Sequence, residues 1–299
     1  MMKNTIYFNK FYKIFNITSS ILIVMSLLLL VFKGLNFGID FKGGTLIEIR
    51  VSDSKINISN IRDSFNQMNL GEITVKQFGE KNDYIVKFQK QNLNNPNFIN
   101  EIQSNLVNSI GNTFDFRRVE NVGPKVSSEL LKSGIIAIGL SLFAMLLYIW
   151  IRFEWQFSLG AIIALFHDVI ITLGIFSLFS LEINLSIVAA VLTIVGYSMN
   201  DTVVIFDRVR ENLKKYSDIK IFDLTNLSIN ETISRTIITS VTTLLALFSI
   251  FIFGGEILKG FSLAMILGVI FGTYSSIYIA NPILVRLRVS QKTIVKEEK

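Results

Sequence analysis

An aspartate, Asp201, stands inside an apolar stretch that runs from Ile183 to Phe206. A carboxylate in a membrane-length helix costs about 2.5–3.5 kcal/mol on insertion scales, so such groups face a bundle interior or a wet crevice, where they pair or carry protons and ions. Counting back by helical turns, Tyr197, Thr193 and Ala189 share its face. Asn200 adds a second polar group beside it. The next apolar stretch opens on Arg235, with Thr239 and Thr242 following at helical spacing and Ser240 and Thr243 close by. A guanidinium stays charged at any relevant pH, and a carboxylate near one is pulled towards its charged form by the cation and towards its neutral form by desolvation. A site balanced in that way exchanges protons as its access to water changes. The structural alternatives are an ion pair that holds the bundle together and an Arg235 that snorkels to lipid headgroups.

His167 and Asp168 form a second polar pair, near the middle of another apolar stretch. Histidine titrates near neutral pH, which suits a proton relay; a buried polar lock between helices fits equally well. Neighbours in a helix point in different directions, so the two need not touch. Asp168 shares a face with Gly160, Ala164 and Thr172, the pattern of a close helix interface. Gly260, Ala264, Gly268, Gly272, Ser276 and Ala280 recur every four residues, which lets helices approach closely. Glycines also mark the exit from the first apolar stretch, in the run Phe37-Gly38-Ile39-Asp40-Phe41-Lys42-Gly43-Gly44, a turn that launches a strand. Gly123 and Pro124 punctuate the other end of the same region, with Pro124 suited to start a helix.

The elements that must hold these groups are membrane spans. The 299 residues are 51% hydrophobic and 17% charged, with mean hydropathy +0.51, against about 25% charged residues in soluble domains. There is no cysteine and one histidine, which excludes thiol and disulfide chemistry and leaves little for a metal; no cofactor is expected. The net charge of +6 does not describe a nucleic-acid binder. Its basic residues gather beside apolar spans, at Lys3, Lys10 and Lys13, at Arg208, Arg210, Lys214 and Lys215, and at Arg286, Arg288, Lys292 and Lys296, as the positive-inside rule requires of cytoplasmic segments.

Six stretches can cross a bilayer, at about 15–32, 133–151, 157–181, 183–206, 233–253 and 261–285. With the basic segments inside, both termini are cytoplasmic. The first stretch follows a basic start like a signal peptide but has no small-residue cleavage site after it, and reads as an uncleaved anchor. The expected division is residues 1–33 for the N-terminus and first span, 34–132 for an extracytoplasmic insert, 133–285 for the remaining spans with a cytoplasmic loop at 207–232, and 286–299 for a cytoplasmic tail. Within the insert, Thr45–Val51 alternates as a strand, with Ile47, Ile49 and Val51 on one side. Ile58, Ile61, Phe65 and Met68 fall at helical spacing. Ile73–Phe78 and Tyr84–Phe88 read as strands, Gln91–Asn97 as a loop, and Pro96 as the start of a helix with Ile99, Ile102, Leu106 and Ile110 on one face. Thr113–Val119 reads as a last strand. The order β-α-β-β-α-β is the ferredoxin-like one.

The runs Gly38–Gly44, Val122–Pro124, His167-Asp168, Val195–Thr202 with Phe206–Asn212, and Ser234–Thr236 with Thr239-Ser240 resemble, in this order and across nearly the whole chain, the SecF subunit of the bacterial SecD–SecF protein-export complex. The resemblance implies half of an RND-type transporter, with six spans and one periplasmic ferredoxin-like domain, in the inner membrane. It implies SecD as the other half of a heterodimer, the SecYEG channel, YajC and unfolded preproteins as partners, and the proton-motive force as the source of energy. It puts Asp201 and Arg235 on a proton path that a SecD aspartate completes; Asn200, Thr239, His167 and Asp168 are the further candidates that the residues themselves offer. Gly38, Asp40, Gly43, Gly44, Gly123 and Pro124 become the segment that couples proton passage to domain movement. No covalent chemistry is implied. A small-molecule efflux subunit of the same superfamily would need twelve spans and two extracellular domains; a scaffold that only stabilises SecD or SecY is the other rival, and H⁺ and Na⁺ both suit an acidic intramembrane site.

Overall fold

The computed structural model describes residues 5–52, 56–77, 82–89, 97–111, 114–216 and 218–294. In chain order the elements are α1 (Tyr12–Phe32), β1 (Asn36–Phe37), α2 (Ile39–Lys42), β2 (Gly44–Val51), α3 (Ile58–Asn66), β3 (Ile73–Gln77), β4 (Asp83–Phe88), α4 (Phe98–Ile110) and β5 (Phe114–Val122). Then come α5 (Pro124–Arg152), α6 (Trp155–Leu178), β6 (Glu182–Ile183), α7 (Leu185–Lys215), α8 (Ile221–Phe253), α9 (Gly255–Ser275), a wide turn at Ser276–Ala280 and α10 (Asn281–Arg286). Six helices are long and apolar enough to cross a membrane: Phe8–Phe32, Pro124–Arg152, Trp155–Leu178, Leu185–Lys215, Ile221–Phe253 and Gly255–Arg286. Half or more of α6, α7 and the last span is buried, whereas α1, α5 and α8 are mostly exposed. The polar residues of interest therefore sit on the central helices or face them.

Two boundaries depart from expectation. The loop expected at 207–232, long enough for a short surface helix, is mostly helix continuous with its neighbours: α7 runs on to Lys215 and α8 starts at Ile221. No proline or glycine interrupts 207–215, and the extensions staple each other through Arg208 to Glu231 at 2.8 Å and Asn212 to Glu231 at 2.8 Å. The last span is not one regular helix. Pro282 has no N–H and cannot bond the carbonyl four residues back; that carbonyl, of Tyr278, accepts from Asn16 Nδ2 of α1 at 3.0 Å instead. The break appears as the wide turn, a device common at functional sites.

The glycine seam of the last span packs on α7 of this chain. A Cβ added at Gly272 would stand 3.0 Å from Ser198, at Gly260 3.1 Å from Ile187, and at Gly268 within the side chain of Ile194. Gly160 of α6 likewise admits the backbone of Ala280, 3.0 Å from where its Cβ would lie.

Between the first two spans lies a four-stranded antiparallel sheet, in the order β3-β4-β2-β5. Its inward residues Ile47, Ile49, Val51, Val75, Val86 and Phe88 meet Ile61 and Phe65 of α3 and Phe98, Ile102 and Leu106 of α4. The element order matches the alternation read from the sequence. Asn57 and Asn60 form a reciprocal cap that starts α3, and the last strand extends to Val122, three residues past the expected end. Pro96, the loop at 91–96, Phe78 and Thr113 lie outside the described residues.

Candidate functional site

The helix that carries Asp201 is fixed at its first turn. Asn184 caps it, its side chain accepting from the Ile187 N–H at 3.2 Å. Asp40, from the glycine-rich run, accepts from the Leu185 N–H at 2.8 Å, so a carboxylate sits at the positive end of the helix dipole. The same run is tied on both sides. β1 pairs in parallel with β6 immediately before α7, the Gly38 N–H donates to Ile183 O at 2.8 Å, and Lys87 of β4 ion-pairs with Glu182 of β6. Gly43 (φ +77°) and Gly44 (φ +142°) adopt backbone that favours glycine, and a Cβ on Gly44 would stand 2.8 Å from Phe88 O. Gly123 caps α5 in extended conformation with Pro124 in its first turn.

Asp201 is 4% exposed. Its Oδ2 accepts from Thr273 Oγ1 of α9 at 3.3 Å, and Thr273 Oγ1 is 2.7 Å from Ser240 Oγ of α8. Tyr197, one turn earlier, donates to Thr239 O at 3.2 Å and to Thr243 Oγ1 at 3.1 Å. Three helices therefore converge on the carboxylate through neutral hydroxyls. Arg235 is exposed on α8 and makes no ion pair with Asp201 within 4.0 Å. The expected direct pair is not formed: Arg235 lies outward, beside the site rather than in it. Asn200 is exposed on α7 and Thr193 is exposed with its hydroxyl bonded back to Ala189 O, so the polar stripe divides between an inner half, Tyr197 and Asp201, and an outer one. Thr239 turns its hydroxyl to Arg235 O and Thr236 O.

His167 and Asp168 do touch, against the expectation that helix neighbours need not: His167 Nδ1 is 2.8 Å from Asp168 Oδ1. Both are buried, at 1% and 0%. Asp168 Oδ2 accepts from Ser198 Oγ of α7 at 2.5 Å and from Ser275 Oγ of α9 at 2.8 Å. His167 stacks on Tyr274, rings 5.8 Å apart, and Tyr274 reaches α1 through Ser19 and Phe15 O. The sequence reading missed Thr273, Ser275, Ser198 and Tyr274. The run Gly272-Thr273-Tyr274-Ser275-Ser276 was the available signal, read only for its small residues. Among the described residues no three His, Cys, Asp or Glu side chains cluster as metal ligands do.

A sequence model described as "Protein export membrane protein SecD/SecF, C-terminal" matches residues 102–290, and one for the "SecD/SecF GG Motif" matches 28–55. The chain belongs to the SecD/SecF family. Relatives include the protein translocase subunits SecF of Rickettsia bellii, 47% identical over 88% of each chain, and of Cereibacter sphaeroides, 42% identical over 94% of this chain and 89% of that one. Among solved structures, SecDF from Thermus thermophilus, described as a translocon-associated membrane protein, is 33% identical with a TM-score of 0.85 over 95% of this chain. SecDF in a super-membrane-facing form is 32% identical with a TM-score of 0.71 over 96%. This SecD/SecF-family chain spans 39% of the length of either SecDF chain. The GG motif of the family is the segment that ties β2, β6 and the first turn of α7 together, and the C-terminal model covers Asp168 and Asp201.

Proposed function

We propose that this chain works with SecD as an accessory subunit of the Sec translocase, using the proton-motive force to complete preprotein export through SecYEG across the bacterial inner membrane. The observation that carries this reading is the environment of Asp201: a carboxylate in the middle of a span, held only by the hydroxyls of Thr273 and Ser240, with an exposed guanidinium and an exposed amide on the neighbouring surface. The exposed Asn200 and Arg235 leave a polar flank for SecD, which would supply the rest of the path. Both termini are assigned to the cytoplasm and the four-stranded domain to the periplasm, where its strand order and split crossovers suit a ferredoxin-like fold.

In the proposed cycle Asp201 takes a proton from outside, Arg235 loses its attraction for the neutral acid, the α7–α8–α9 contacts rearrange, and the proton leaves inside. Because β6 precedes α7 directly and Asp40 caps it, a shift of α7 would be passed to the sheet domain. One proton crossing 100 mV supplies about 2.3 kcal/mol and each pH unit about 1.4 kcal/mol, enough to bias two states by roughly tenfold to a few hundredfold. The unequal TM-scores to two SecDF forms, 0.85 and 0.71 at 95% and 96% coverage, support a region that takes more than one arrangement. YajC remains a further proposed partner, and the reading requires no cofactor and no covalent chemistry.

The test is preprotein export by membranes carrying this chain and SecD, with and without a proton gradient, for wild type and Asp201→Asn. The expected result is loss of the gradient-dependent part with the complex intact. Full activity of Asp201→Asn would move the reading to a scaffold.

A further inference from the structure

The first and last spans begin and end at the same end of the bundle, and between them lies a concavity of 380 Å³. Ligand pockets occupy about 300–1,000 Å³. Lys10 and Lys13 enter it from the start of the first span and Arg286 from the end of the last, with Asn16 beside them and Tyr12 and Phe222 among its apolar walls. Three arginines at this end are neutralised: Arg152 pairs with Asp207, Arg208 with Glu231 and Arg210 with Glu154. Lys214, Lys215, Arg288 and Lys292 have no carboxylate within 4.0 Å among the described residues, but they do not line this concavity. Lys10, Lys13 and Arg286 have no carboxylate within 4.0 Å among the described residues. Lys10 rests over the ring of Tyr7, 4.3 Å from its centre, which leaves its charge uncancelled.

A second feature leads away from the pocket. Ile14, Ile17, Ile21, Val24 and Leu28 are all exposed by more than half. They fall at helical spacing down one side of α1, starting next to Lys13. Three unpaired cations at the water boundary and an apolar track below them are the two halves of a phospholipid site. A soluble anion would use only the first half.

We infer that this pocket binds the phosphate of an anionic glycerophospholipid, whose acyl chains lie along the exposed ridge of α1. The lipid neutralises cations that the chain leaves unpaired at the mouth of the groove, and its chains run down the side of α1 turned away from the last span. The site needs only that this end of the bundle meets the membrane surface, and it stands whether or not Asp201 carries protons.

The full chain, purified from phosphatidylglycerol nanodiscs, is examined by native mass spectrometry, with phosphatidylcholine nanodiscs as the comparison. The expected result is retained phosphatidylglycerol, no retained phosphatidylcholine, and affinity weakened roughly a hundredfold in Lys10→Gln/Lys13→Gln/Arg286→Gln, since each surface cation is worth about a factor of five towards anionic lipid. The charge-keeping variant Lys10→Arg/Lys13→Arg/Arg286→Lys should hold the lipid, which separates lost binding from lost folding. The variant Lys214→Gln/Lys215→Gln/Lys292→Gln removes the same charge elsewhere at this end and should also hold it. Equal loss in that control would reduce the effect to general surface charge and overturn the site. Displacement by free glycerol phosphate at equal concentration would overturn the acyl-chain half, and expulsion of the lipid on adding SecD would assign the pocket to a protein partner.

Discussion

Two carboxylates, Asp168 and Asp201, are buried in the same bundle, and their surroundings differ in kind. Asp168 has both oxygens occupied, by His167, Ser198 and Ser275, and lies where α6, α7 and α9 meet with no exposed surface. Asp201 is held by two hydroxyls, Thr273 at 3.3 Å and Ser240, with exposed Asn200 beside it on α7 and Arg235 exposed on α8. A fully satisfied buried network rigidifies and specifies one packing, whereas a sparsely satisfied group is ready to change partners. On the proposed reading, Asp168 is the lock and Asp201 the group that exchanges a proton. Ser198 and Asp201 are three residues apart on α7, and Thr273 and Ser275 two apart on α9, so the same two helices present a closed side and an open side.

The largest expected effect breaks the lock. Asp168→Ala strands the hydroxyl of Ser198 and the imidazole of His167 in the interior and leaves Ser275 only its bond to Gly272 O, and breaking a buried charged network costs about 3–5 kcal/mol. Unfolding in detergent, followed by heat or denaturant, should show that loss, whereas Asp201→Ala should change stability by less than half as much. Equal losses would mean that both aspartates are structural, and the comparison would collapse.

A smaller effect sharpens the open side. Asp40→Ala removes the acceptor from the Leu185 N–H. A lost helix N-cap costs about 0.5–2 kcal/mol. Asn184 still caps the helix, so the expected loss is about 0.5 kcal/mol, accompanied by weaker gradient-dependent export because the glycine-rich run loses its one direct bond to α7 and holds it only through β6. Asp40→Asn keeps an acceptor and should restore most of the export. A stability loss with unaltered export would confine Asp40 to capping.

These roles were unevenly legible in the sequence. Apolar length exposed the six spans, and strict alternation exposed β2 because its inner face is sealed by two helices while Leu46 and Arg50 are not. The continuation of α7 and α8 past the bilayer was hidden, because charged residues in a helix extension look like a loop until Arg208, Asn212 and Glu231 are brought together across the turn. Asp201 was conspicuous by its cost. Its partner was not, because a threonine among small residues costs little and Arg235 advertises a pairing that the helix rotation does not make. Contact between His167 and Asp168 depends on side-chain rotation, which spacing does not fix. The tie between β1 and β6 joins two-residue strands with no periodicity to read.

A third aspartate, outside the six apolar spans, shows what a guanidinium does when it is in contact. Asp83 takes two bonds from Arg50, at 2.6 and 2.7 Å, and these bonds hold its carboxyl below the ordinary value of 3.8 in spite of some desolvation, with Arg50 and Arg117 adding attraction. Its folded pKa is depressed, so its contribution to stability is complete above the ordinary carboxylate range and fades as pH falls through that range towards the lowered value. Arg50 is 38% exposed on its side chain, and solvent screening limits the pair to about 1 kcal/mol. Asp83→Asn should therefore lower stability by about that amount near neutral pH, and the gap between variant and wild type should close on acidification from roughly pH 6 to roughly pH 2. A gap that persists at the acid end would mean that Asp83 acts through neutral hydrogen bonds, as Asp201 does with Thr273, and not through the charge of Arg50.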